Sequence, residues 1–213
     1  RVFVPGPMPG PVNLRGVRLG IPVCEDIWRD EVIECLAETG AELMIVPNAS
    51  PYSRGKDEAR LNIAVARITE QGKPLIYVNQ IGGQDELVFD GGSFALHADL
   101  SVAFQMPAFS EAIATMHWNR VGATWRCDDG PMVAVDEDDK ADYAACTLGL
   151  RDYVDKNGFK GVVRGLSGGI DSAICAALAV DALGAARVRC VMMPYRFTAQ
   201  ESLDDAAAAA AAL

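Results

Sequence analysis

Positive charge is in short supply: 19 lysines and arginines face 29 aspartates and glutamates, for a net charge of −10 over 213 residues. A surface that grips a phosphate backbone carries a basic face, so nucleic acid is not an expected partner. Histidine is scarcer still. Only His97 and His117 occur, too few for a zinc cluster. The six cysteines (Cys24, Cys35, Cys127, Cys146, Cys175 and Cys190) never stand as a CxxC pair, and the opening residues lack the pattern of a secretory leader. Reduced thiols in a cytoplasmic protein are therefore expected. No apolar run approaches the roughly 20 residues that cross a bilayer, so no membrane partner is expected either. The chain opens on Arg1 and closes on seven alanines before Leu213, which reads as an internal piece of a longer protein.

What is present is the material of a packed fold. Half of the residues are hydrophobic, 23% are charged, and the 20 glycines and 11 prolines follow no period. That balance excludes disorder and low complexity, and the length admits one large domain or two small ones. Between Arg126 and Asp142 seven acids face two bases, a local charge of −5. The stretch also holds Gly130 and Pro131, so residues 126–140 are expected to be an acidic linker between a first domain, 1–125, and a second, 141–213. An acidic loop within one domain is the alternative.

In the first domain, Val17–Val23, Glu42–Pro47 and Pro74–Asn79 read as buried strands. Helices are expected from an Asp30 cap to Thr39 and over Lys56–Gln71. Glu86–Phe89, Ser93–Leu96 and Val102–Gln105 read as hairpin strands on the same sheet, and Asn79, Gln80, Gln84 and Asp85 are assigned to the joint between the domains. In the second, helix Ala141–Lys156 is expected to turn Leu148, Tyr153 and Val154 inward. Strand Gly161–Leu166, a helix from about Asp171 to Leu183 and strand Val188–Met193 follow. Thr198 with Glu201 then marks a capping box for a last helix. The fold class is α/β, with the second part the start of a doubly wound parallel-sheet domain.

The segment Gly165-Leu166-Ser167-Gly168-Gly169-Ile170-Asp171-Ser172 lies between a strand and a helix. Unpaired helix-start N–H groups and the helix dipole favour an anion at that position. Gly168 and Gly169 admit close approach, Ser167 and Ser172 add hydroxyls, and Asp171 suits a magnesium ion bridging phosphates better than a phosphate itself. The string has neither the GK[ST] of a Walker loop nor the third glycine of the dinucleotide fingerprint. It resembles the pyrophosphate loop of the N-type ATP pyrophosphatases. The resemblance implies an adenine nucleotide α-hydrolase-like domain that uses ATP and Mg2+ to adenylylate an oxygen of its substrate.

Cys24 ends an apolar strand and opens the string Cys24-Glu25-Asp26-Ile27-Trp28. Buried cysteines are usually inert, but a strand-to-helix corner exposes a nucleophile and offers the next N–H to an oxyanion. With only His97 and His117 available, a Cys–His pair is poorly supported, and a carboxylate with an assisting lysine is the expected activation. Together with Val46-Pro-Asn-Ala-Ser-Pro-Tyr52, the string resembles the glutamine amidohydrolases of the nitrilase superfamily. That resemblance implies an α-β-β-α sandwich, here in part, with Cys24 as nucleophile and Ser50 and Lys56 holding glutamine. The Glu and Lys of the superfamily's triad lie before its cysteine, and residues 1–23 contain neither.

The two resemblances together, with Val78–Phe94, Leu148–Val154 and Met193–Thr198, resemble the family of glutamine-dependent NAD+ synthetases. The implied reaction is amidation of deamido-NAD+ with ammonia drawn from glutamine. ATP would be held by Gly165–Ser172 and Arg196, and Mg2+ by Asp171. Glutamine, deamido-NAD+ and ATP are then the expected small-molecule partners, in a homo-oligomer. Another glutamine-dependent ATP-pyrophosphatase amidotransferase, or an inactive truncated piece, are the alternatives.

Overall fold

Runs of five or six apolar residues, too short for helices and rich in branched side chains, form the middle of the main sheet. The computed structural model describes residue 4 and residues 6–213, and the chain divides into two units. The first comprises residues 1–81 and 89–136, the second residues 82–88 and 137–213.

In chain order the first unit begins with β1 (Val12–Leu14), β2 (Val17–Gly20), a 3-10 turn (Cys24–Trp28), α1 (Asp30–Glu38), β3 (Leu43–Asn48), α2 (Lys56–Gln71) and β4 (Leu75–Asn79). A two-stranded ribbon of β5 (Ile81–Gln84) and β6 (Leu87–Asp90) follows in the chain, its residues 82–88 counted with the second unit. Then come β7 (Phe94–Leu96), β8 (Val102–Gln105), β9 (Trp118–Val121) and β10 (Thr124–Cys127). Six strands make one mixed sheet in the order β1-β2-β3-β4-β7-β8, parallel across β2–β3 and β3–β4 and antiparallel elsewhere.

Alternation along the central strands decides which side chains meet the helices. Met44 and Val46 of β3, Leu75 and Tyr77 of β4, and Phe94 and Leu96 of β7 join Ile33 and Leu36 of α1 and Ala64 and Ile68 of α2 in one core. Tyr77 and Phe94 stack with ring centroids 5.2 Å apart. Ala95, Ala103 and Phe104 form a second cluster, against which Ile76, Trp118 and Cys127 pack. The β9–β10 hairpin that supplies Trp118 and Cys127 turns through Gly122 at φ 62° and escaped the sequence reading.

The second unit contains α3 (Asp138–Lys156), β11 (Val162–Gly165), α4 (Ile170–Leu183), β12 (Val188–Val191) and α5 (Gln200–Ala212). β11 and β12 pair in parallel, as a β-α-β crossover requires. Small residues let the elements approach closely: Ala176 and Ala179 of α4, Ala141 and Ala145 of α3 and Ala206 of α5 are buried. Residues 82–88 belong to this unit. The Gly83 amide donates to the Asp152 carboxylate at 2.7 Å, and the Lys156 ammonium donates to the Gly83 carbonyl at 2.6 Å.

Several expectations need correcting. β7 and β8 lie on the main sheet, but β6 pairs with β5 in a separate ribbon. Asp30 is the first residue of α1, capped by Arg29, rather than its cap. Tyr153 is 49% exposed, while Leu148 and Val154 are buried. The Thr198 hydroxyl accepts from the Tyr195 amide at 2.9 Å and the cap of α5 is Ala199, so the Thr198–Glu201 box does not form. β10 and α3 take residues from both ends of the span 126–140, leaving an irregular stretch from Asp128 to Glu137.

Candidate active sites

β2 carries the chain toward Cys24, where the backbone enters the left-handed region at φ 52°. A non-glycine residue in that region is strained, and such strain collects where a side chain must be aimed. Asp26 holds the turn: its carboxylate accepts from the Val23 amide at 2.9 Å while its own N–H donates to the Val23 carbonyl at 3.0 Å. Ile27, fully buried in the core, anchors the other side. The thiol is half-buried and faces a cavity of about 280 Å3 lined by Glu25, Trp28, Asn48, Ser50, Lys56 and Tyr77. Ser50 and Lys56 thus come together with Cys24. The Lys56 ammonium sits 5.4 Å from the centre of the Trp28 ring, a cation–π contact.

Behind Ser50 lies a buried polar network. Arg60, 3% exposed, forms a forked ion pair with Asp90 at 2.7 and 2.9 Å. Its Nε donates to the Ser50 hydroxyl at 3.1 Å, and its Nη2 donates to the carbonyls of Ser50 at 2.8 Å and Pro51 at 3.1 Å. Asn79 takes the Ser50 amide at 3.0 Å and returns a bond to the Ser50 carbonyl at 3.2 Å. Burial pushes the Tyr77 phenol above the ordinary range, with the nearby Ser50 hydroxyl and the Arg60 charge working the other way. The loop after β3 is therefore fixed by α2, β4 and β6.

Arg60, Tyr77 and Asp90 were missed in the sequence, and Asn79 was assigned to another role. One signal was available: Arg60 stands four and eight residues before Ala64 and Ile68, on the core-facing stripe of α2. A charge on an apolar stripe has a buried partner.

In the second unit, β11 ends at Gly165 and the chain turns through Leu166 to Gly169 into α4. Gly168 has φ 85°, and a Cβ there would lie 2.3 Å from the Ser202 carbonyl oxygen, so only glycine fits. Ser172 is buried; its hydroxyl accepts from the Ser167 amide at 3.1 Å and donates to the Gly169 carbonyl at 2.8 Å. It braces the loop, and the exposed groups are Gly165, Ser167, Gly169, Ile170 and Asp171. Gly165, Leu166 and Ser167 line a cavity of about 550 Å3 with Met193, Phe197, Thr198 and Ser202. Arg196 does not line it; its guanidinium lies 4.7 Å from the Phe197 ring centre and 5.6 Å from that of Tyr195.

Among the described residues no group of three or more His, Cys, Asp or Glu side chains could hold a metal ion. Asp171, exposed in the first turn of α4, suits a magnesium ion whose remaining ligands are phosphate oxygens and water. No helix of the described residues is long and apolar enough to cross a membrane.

Comparison with known proteins finds two family models that match successive parts of the chain. Residues 2–126 match the carbon-nitrogen hydrolase model and residues 143–213 the NAD synthase model. A glutamine-dependent NAD(+) synthetase of Rhodobacter capsulatus is 53% identical over 97% of this chain and 38% of its own length. Its counterpart in Acinetobacter baylyi is 40% identical over the same shares. A solved glutamine-dependent NAD+ synthetase of Acinetobacter baumannii, in complex with ADP, superposes with a TM-score of 0.85 at 38% identity over 92% of this chain and 37% of that one. The chain thus spans somewhat over a third of the length of these relatives.

Proposed function

This chain belongs to the carbon-nitrogen hydrolase family, and from that premise we propose that it serves the ATP-dependent amidation of deamido-NAD+ with ammonia taken from glutamine. The observation that carries the reading is a strained thiol on a polar cavity in the same chain as an SGGIDS loop at a helix start. Relatives that align with 97% of this chain, across both matched segments, are named glutamine-dependent NAD(+) synthetases, which supports the same pairing here.

In the first unit, Ser50 and Lys56 hold glutamine while the Cys24 sulfur attacks the side-chain carboxamide carbon. The Glu25 amide is available to the oxygen as negative charge develops on it. The proton given up by the thiol passes to the amide nitrogen, the carbon–nitrogen bond breaks, ammonia leaves, and a γ-glutamyl thioester remains. Water then cleaves the carbon–sulfur bond, giving glutamate and the free thiol. Residues 1–23 hold no Glu and no Lys, so the general base and assisting cation of the superfamily are not drawn from them.

In the second unit, the loop from Gly165 to Ser172 receives the ATP phosphates on backbone amides and the Ser167 hydroxyl, with Arg196 a further contact. Magnesium held by Asp171 would neutralise phosphate charge as pyrophosphate departs. The nicotinate carboxylate attacks the α-phosphorus, forming an acyl adenylate, and ammonia displaces AMP to give the amide. Two sites make chemical sense because ammonia in water at neutral pH is mostly ammonium, which has no free pair for attack. Transfer out of contact with water keeps the nucleophile neutral.

The test is exchange of labelled pyrophosphate into ATP by the full-length protein. Exchange should require deamido-NAD+ and be absent with other carboxylates. Exchange that depends on a different carboxylate would assign the chain to another amidotransferase of the same ATP-pyrophosphatase type.

A further inference from the structure

The core-facing stripes of β3 and β4 both end in asparagine. The two strands run parallel in register, so Met44 stands beside Leu75, Val46 beside Tyr77 and Asn48 beside Asn79. The first four belong to the core. Asn48 and Asn79 are buried as well, at 9% and 8% exposure, although each carries an amide. A buried amide costs stability unless its donor and acceptor ends find partners. Asn79 is paired at both ends: its oxygen accepts from the Ser50 amide, and its nitrogen donates to the Ser50 carbonyl and the Asp90 carboxylate. Asn48 is paired at one. Its Nδ2 donates to the Val46 carbonyl at 2.7 Å. A carbonyl only accepts, so the nitrogen is the end turned toward it and Oδ1 is turned away. That oxygen takes no bond from the described residues, and it is open rather than sealed on the wall of the cavity that holds Cys24.

We propose that Asn48 Oδ1 accepts a hydrogen bond from the carboxamide nitrogen of the glutamine bound beside Cys24, and so makes the site selective for a primary amide. The proposal rests on the glutamine reading above. Ser50 and Lys56 keep their place on the rest of the molecule. The Glu25 N–H serves the carboxamide oxygen and Asn48 serves its nitrogen, so both ends of the reacting group are read by groups of the matching kind.

An ester carries no proton at that position, and neither does the carboxylate of the product glutamate at neutral pH. A site built to accept an N–H discriminates against a ligand lacking one, because its own buried acceptor is then left unpaired. The nitrogen gains a proton on its way to ammonia and becomes a better donor, so the contact persists through carbon–nitrogen cleavage. Asn48 is therefore a specificity-determining residue that touches substrate.

The experiment compares glutamine with the γ-methyl ester of glutamate in the full-length protein, reading kcat/KM for each in wild type, Asn48→Leu and Asn48→Ala. Both substrates give the same thioester, one releasing ammonia and the other methanol. The amide-to-ester ratio of kcat/KM should fall about tenfold in both variants. A purely structural role for Asn48 would lower both substrates together and leave the ratio where it was. Protection of Cys24 against iodoacetamide is measured in parallel on wild type, where glutamine should protect at concentrations about tenfold lower than the ester. That comparison keeps the proposal falsifiable if neither variant folds. An unchanged ratio in a folded variant, or equal protection by amide and ester in wild type, would overturn it. Absence of glutamine protection in wild type would instead overturn the glutamine reading itself.

Discussion

The two candidate sites are built on opposite principles. Around Cys24 the cavity wall is made of side chains, with Ser50 held in a polar network that ends in a buried ion pair between Arg60 and Asp90. Around the Ser167–Asp171 turn, what faces outward is backbone, Ser167, Ile170 and Asp171, while Leu166 and Ser172 are buried on either side. The first site is a preformed polar cavity. The second presents unpaired helix-start amides that a polyanion satisfies. Catalysis by a thiol requires fixed geometry, whereas phosphate binding at a helix start tolerates an open loop.

That contrast can be broken in order of expected effect. Asp171→Asn should cost on the order of 10²–10³ in NAD+ formation whether glutamine or ammonium supplies nitrogen. Ammonium-driven synthesis near the wild-type rate would remove Asp171 from the ATP site. Next come the two arginines. Arg60→Ala leaves Asp90 buried without its partner and should lower stability by roughly 3–5 kcal/mol in urea unfolding. Arg196→Ala, on an exposed side chain, should stay within about 0.5 kcal/mol. Equal losses would erase the distinction between a preformed and an open site. Smaller again, Gly168→Ala should destabilise by about 1–3 kcal/mol, since φ 85° and the nearby Ser202 carbonyl both oppose a side chain. Gly122→Ala, at φ 62° with open space, should cost less.

The least effect is a pH dependence. Burial raises the Asp152 carboxyl, but the Gly83 amide and Lys156 outweigh it and hold the pKa below the ordinary carboxylate value. The group therefore contributes stability above its unfolded value near 3.9, and that contribution disappears as pH falls through the lowered folded value. Asp152→Asn should flatten the acid limb of an unfolding series and leave the shape of the curve near pH 7 unchanged.

The parts of the fold legible in sequence were those with local signatures. The strands around Met44, Val46, Leu75 and Tyr77 announce themselves as short continuous apolar runs, and the Cys24 turn and the SGGIDS loop are continuous strings. The Ser50 network was harder because it joins residues 50, 60, 79 and 90, brought together only when α2 and β4 dock on the sheet. Asp90 sits in an Asp-Gly-Gly string that reads as a turn signal, yet its carboxylate is the counter-charge of Arg60. Thr198 failed in the other direction. Its spacing to Glu201 satisfies the capping pattern, but its hydroxyl is already engaged by the Tyr195 amide.

The proposed pairing of a glutamine-hydrolysing thiol with a separate ATP-dependent amidation site is tested most directly by Cys24→Ala in the full-length protein, with NAD+ formation measured from glutamine and from ammonium. Loss of glutamine-driven synthesis with ammonium-driven synthesis retained is the predicted result. Loss of both, or retention of both, would contradict it.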